Sequence, residues 1–181
     1  MTIVLPSRRR PMSERRPAIR FLPTAGLKQD LQTLHDAAMT RPQGPEGRLL
    51  RVALNQLSRI QQGAPGTHPL AYLPSYPDLS DCETTYVGAD PNAKPSHRIV
   101  WREHAPQRPG EPVTREVIAL GERANGQAYY MAGQRLGRPV GFTLAELAAQ
   151  REPIASPSRP GRRLIGSFDT PSMNEPDPQF E

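Results

Sequence analysis

The 181-residue chain has one cysteine, Cys82, so it has no internal disulfide and no zinc cluster built on cysteines, and nothing in its composition argues for an oxidising compartment. No apolar run approaches the roughly 20 residues needed to span a bilayer. The opening Met1–Leu5 stretch precedes its arginines, the reverse of a secretory signal, so the cytoplasm is the expected compartment. Glycine-rich phosphate loops, dinucleotide fingerprints and Gly-x-Ser-x-Gly elbows are missing, which removes the nucleotide-cofactor and serine-hydrolase classes. No histidine pair has ligand spacing, so neither a metal nor any other cofactor is expected. Aromatic residues make up only 6% of the chain and hydrophobic residues 36%. A core of that size is affordable only if the apolar residues are concentrated in one region.

They are concentrated in the middle. Proline, at 22 residues, is in excess, and it is dense near both ends. Residues 1–17 hold five arginines against one glutamate and read as a disordered basic arm able to hold phosphates non-specifically. Residues 138–181 read as a mostly disordered, proline-rich tail with room for a short helix at 142–150. Between them, 18–137 reads as one domain. The whole chain carries a net charge of +5, which favours polyanionic partners without specifying a fold.

Within 18–137 the pattern changes period twice. A short apolar strand at Ala18–Phe21 leads to Thr24, a helix N-cap residue, after which Leu27, Leu31, Leu34 and Ala38 form one stripe of a helix. Arg41–Pro45 must be a loop, and Arg48–Gln62 repeats the helical pattern with Gly63 at its end. Residues 64–80 read as a connector, tacked down by Tyr72, Leu73 and Tyr76. Three strands follow, Cys82–Val87, His97–His104 and Thr114–Leu120, and then a short helix from Tyr129 to Leu136. Helices segregated before a run of adjacent strands predict an α+β fold with an antiparallel meander.

Strict alternation in the last two strands puts Ile99, Trp101, Ile118 and Leu120 toward the helices. Arg98, Arg102, Arg115 and Arg123 would then gather on the opposite, outer face, which is suited to a bent phosphate backbone. Taken singly, each of these arginines is more often a solvated group than a ligand-binding one. Tyr129 can offer a phenol to a substrate or simply cover the edge of the core.

The strand His97-Arg98-Ile99-Val100-Trp101, and the pattern Val117–Arg123 followed at six residues by Tyr129 and then by Ala132, Arg135 and Leu136, resemble the RelE/ParE family of type II toxins over residues 18–137. The resemblance implies a RelE-like order of strand, helix, helix, three-strand meander and short C-terminal helix. It also implies a toxin that cleaves messenger RNA on the ribosome without a metal, inhibits translation and is held by a cognate antitoxin protein. On this resemblance Arg98, Arg123 and Tyr129 are the catalytic residues, with Tyr129 as base and the arginines as phosphate clamps. Lys94, Arg102, Arg115 and Arg135 are the RNA-binding residues. Where RelE-like nucleases carry lysines on the first meander strand, Cys82–Val87 has none, and Lys94 in the following loop is the nearest. A ParE-like inhibitor of gyrase and a catalytically silent RNA- or protein-binding scaffold are the other readings of the same pattern.

Overall fold

The computed structural model describes residues 18–151; the basic arm expected over 1–17, and the tail from residue 152 on, lie outside the described residues. The fold is α+β, with a five-stranded mixed sheet and, among the described residues, four α-helices. The elements run β1 (Ile19–Pro23), α1 (Ala25–Thr40), α2 (Pro45–Gln61), β2 (His68–Pro69), β3 (Cys82–Val87), β4 (His97–His104), β5 (Val113–Glu122), a 3-10 turn (Ala124–Gly126), α3 (Gln127–Arg135) and α4 (Leu144–Arg151). In the sheet the order is β1-β5-β4-β3-β2. The meander β3–β4–β5 is antiparallel, and β1 joins β5 in parallel. The 64–80 connector contributes a strand of its own, because His68 and Pro69 pair with Thr84 and Glu83.

Thr24 starts α1 as its sequence position predicts. Its hydroxyl oxygen accepts from the Leu27 amide at 3.2 Å, satisfying one of the orphan donors of the first turn. The same hydroxyl donates to the Ile118 carbonyl at 3.1 Å, which locks the helix start to β5. In α2, Pro45 sits at the N-terminus where its missing N–H costs nothing, and the apolar stripe Leu49, Ala53, Leu57 and Ile60 is buried.

Strict alternation fails in β5. The β4–β5 register slips between Val100 and Trp101, so Trp101 pairs with Val117 while Val100 pairs with Ala119, and Ile118 is the extra residue of a bulge. Val117 and Leu120 therefore join Ile99, Trp101 and Val87 under α1 and α2. Ile118 and Ala119 instead face the other side, with Val100, Cys82, Leu79 and the α3 residues Ala128 and Ala132. The expectation that Ile118 and Leu120 share a face is corrected by this bulge. Both faces of the sheet are covered, so the open outer face expected from the sequence is reduced to what α3 leaves uncovered at one end.

The beginning of the tail is also packed. Arg138 forks onto the Asp81 carboxylate at 2.6 and 2.7 Å, Val140 bridges to Pro77, and the Leu144 amide donates to Asp78. Thr143 and Glu146 cap α4 reciprocally, each side chain accepting from the other's backbone amide. The ordered unit thus runs past residue 137. Burial by itself would raise the Asp81 carboxyl, but the hydrogen bonds from Arg138, aided by the Cys82 thiol and Arg102, outweigh it and hold the group at about 2 against an ordinary 3.8. A folded pKa below the unfolded one contributes stability that is complete above about pH 4 and is lost as pH falls through about 2. Since Asp81 is 35% exposed, screening reduces the contribution to about 1 kcal/mol. Acid titration of stability should therefore show a step of that size between pH 4 and 2 that is missing in Asp81→Asn.

Candidate functional site

Arg98 lies in the middle of the uncovered end of the sheet. On β4 it pairs with Tyr86 of β3, and the guanidinium carbon sits 5.4 Å from the centre of the Tyr86 ring and 4.6 Å from that of Tyr129 on α3. Two tyrosine faces hold one cation between them, an arrangement stabilised by the ring quadrupoles. Arg98 has no carboxylate partner among the described residues. Its buried Nε has no hydrogen-bond partner there either, and the same is true of the buried Thr84 hydroxyl two residues along from Tyr86. Buried donors are nearly always satisfied, so an orphaned guanidinium N–H marks a place where an acceptor is missing.

The guanidinium borders an open cleft of about 890 Å³, lined among others by Lys94, His97, Arg98, Arg123 and Tyr129. Arg123 enters it because the ladder ends there: its amide donates to the Ser96 carbonyl at 2.7 Å, and the chain then turns sharply. The turn requires a left-handed backbone at Asn125 (φ 53°) and Gly126 (φ 67°), and a Cβ at Gly126 would run into the Tyr76 ring. That Asn-Gly step brings Arg123 and Tyr129, six residues apart, to the same rim. Opposed to three cations there is a single carboxylate, Glu122.

Of the residues singled out in the sequence, Arg98, Arg123, Tyr129 and Lys94 meet in this cleft. Three others do not. Arg115 lies on the opposite face, 7% exposed, stacked 4.7 Å above Trp101 and donating to the carbonyls of Ile60 and Ala64 at 2.9 and 2.6 Å. The bulge puts it in line with Val117, under the end of α2, and takes it out of the basic face. Arg135 is forked onto Asp30 of α1 at 2.6 and 2.7 Å and donates to the Ile118 carbonyl, so it ties α3 to α1 across the sheet end. Arg102 shares the face of Arg98, but Glu116 at 2.7 Å and Asp81 at 3.4 Å neutralise it.

His97, Tyr86 and Tyr76 also stand at this end of the sheet, without having been singled out as site residues from the sequence. His97 borders the cleft from the opposite face to Arg98: it pairs with Val87, shares the face of Ile99 and also lines a pocket with Asp30 and Leu34 of α1. Its Nδ1 is 3.0 Å from the Ser96 hydroxyl, and burial holds its imidazole below the ordinary 6.5, with Glu122 pulling the other way. Burial likewise raises the Tyr129 phenol, opposed by Arg98. At neutral pH both are therefore uncharged. Cys82 is inert, since burial and Asp81 push its thiol up to about 12. Among the described residues no three His, Cys, Asp or Glu side chains are placed to hold a metal ion, and no helix is long and apolar enough to cross a membrane. No protein-family model matches the chain, and neither a curated protein nor a solved structure matches it.

Proposed function

We propose that the cleft holds a phosphodiester of messenger RNA and that the chain is a toxin of the RelE/ParE type, cleaving translated messages and neutralised by a partner protein that covers this rim. The observation that carries the reading is Arg98: a cation wedged between two tyrosine rings, with an N–H orphaned among the described residues, beside Lys94 and Arg123, which form no salt bridge among the described residues. A phosphate supplies the missing acceptors and the missing charge together. The order of strand, two helices, antiparallel meander and short helix is compatible with the family's order, and the parallel docking of β1 on β5 closes the sheet around the two helices.

The chemistry needs a base, an acid and cations. The ribose 2′-oxygen attacks the adjacent phosphorus, the bond from phosphorus to the 5′-oxygen breaks, and a 2′,3′-cyclic phosphate and a 5′-hydroxyl result. Arg98 and Arg123 neutralise the charge that develops on the phosphate oxygens. By the resemblance Tyr129 is the base, and the Arg98 guanidinium 4.6 Å from its ring favours the phenolate that takes the 2′ proton, against the burial that raises the phenol. The departing 5′-oxygen takes its proton from solvent, to which the cleft is open.

Induced expression should arrest growth, and mapping of RNA 5′ ends should show new ends inside translated messages. Intact messages with DNA-damage signalling would instead select gyrase poisoning, and no arrest a silent scaffold. For the base, the sign follows from its function when deprotonated. Cleavage should rise with pH above neutral toward a midpoint above 10, and Tyr129→Phe should lower the rate about a hundredfold and abolish that rise. A Tyr129→Phe profile parallel to the parent's would assign the base elsewhere.

A further inference from the structure

The connector at 64–80 supplies a second wall to the cleft that phosphate binding does not need. The Tyr76 amide donates to the Leu73 carbonyl at 2.9 Å, closing a turn that presents both side chains to the cleft. The Tyr130 hydroxyl fastens this turn to α3 by donating to the Ser75 carbonyl at 2.9 Å. The Tyr76 ring stands perpendicular to Tyr129 at 5.8 Å and lies 5.2 Å from Tyr130, its position made possible by the bare Gly126. Leu73 beside it is 52% exposed, an apolar side chain left without cover next to a cationic rim.

We infer that Tyr76 and Leu73 form a platform for one nucleobase, so that the cleft takes a single-stranded nucleotide step, phosphate on Lys94, Arg98 and Arg123 and the neighbouring base on the Tyr76 wall. This rests on the phosphodiester reading above and gives it a substrate class. A cationic rim alone suits any phosphate, but an aromatic and aliphatic wall beside it suits a ligand with an exposed flat apolar face next to its charge. A base in a duplex has both faces stacked on its neighbours and offers only edges, whereas an unpaired base can be splayed onto a side chain. The site therefore discriminates for unpaired RNA, and the base on the platform sets which linkage lies at Arg98.

The test compares the full chain binding a labelled, uncleavable 2′-O-methyl hexanucleotide, the same strand without bases, and the hexanucleotide annealed to its complement. The base-bearing single strand should bind about tenfold tighter than either of the others, a stacking contribution of one base. Leu73→Ser, at an exposed position outside the core, should weaken the base-bearing strand only. Arg98→Gln should weaken the base-bearing and abasic strands equally. If abasic and base-bearing strands bind alike while Arg98→Gln weakens both, the platform is overturned and the phosphodiester site stands. If neither strand binds, or Arg98→Gln changes nothing, the phosphodiester reading falls and the platform with it.

Discussion

Replacing Arg98 or Arg123 by alanine should lower message cleavage on translating ribosomes by about a hundredfold to a thousandfold, the effect of removing one preorganised charge from a phosphoryl transition state, or roughly 2.7–4 kcal/mol. The fold should not pay for it. Arg98 loses two cation–π contacts of about 0.5–1 kcal/mol each, but the truncation also removes a buried Nε that has no hydrogen bond, which returns about 1–3 kcal/mol. The melting temperature of Arg98→Ala should therefore equal or exceed the parent's, while activity collapses. A core arginine would behave in the opposite way, so thermal denaturation run beside the cleavage assay distinguishes a side chain kept for its ligand from one kept for packing. Unchanged cleavage in both variants would remove the site.

The second large effect is structural and falls on an arginine that looks alike in the sequence. Arg115→Ala should destabilise the protein by about 3–4 kcal/mol, with cleavage per folded molecule unchanged. Its guanidinium donates to the Ile60 and Ala64 carbonyls where α2 ends, pairs with Glu103 at 3.0 Å and lies flat over Trp101. Without it the partly buried Ala64 carbonyl loses this donor and the Ile60 carbonyl keeps only the Gly63 amide, at about 1–3 kcal/mol for a group left unsatisfied, and the Trp101 face opens onto a cavity. Chemical denaturation should show the midpoint falling with little change of slope. A loss below about 1 kcal/mol would mean that water replaces the guanidinium freely.

The contrast between these two arginines marks the limit of what the sequence could tell. Periodicity placed α1, β3 and β4 almost to the residue, because those segments carry a clear stripe or alternation and are bounded by Thr24, Pro42 and the turns around them. By contrast α2 begins at Pro45, inside what the sequence reads as loop, because proline fits the first turn of a helix. The six-residue step from Arg123 to Tyr129 around Asn125-Gly126 was likewise readable, since a left-handed turn needs those residue types wherever it occurs. His68–Pro69 was not legible as a strand, being two residues long and formed only by its neighbour. The docking of residues 138–151 was hidden for a similar reason: it depends on Arg138 meeting Asp78 and Asp81, some 60 positions away.

The sequence by itself determined the α+β class, the order of helices before the meander, and the candidates Arg98, Arg123, Tyr129 and Lys94, because these follow from local period, turn chemistry and residue type. Only the tertiary structure decided which cations are free. One bulge between Val100 and Trp101 moved Arg115 into the core, and three carboxylates distant in sequence, Asp30, Asp81 and Glu116, took Arg135 and Arg102. Alternation assigns a face only while the register is unbroken, and a charge is neutralised by whatever the fold brings within about 4 Å of it, neither of which a linear pattern contains.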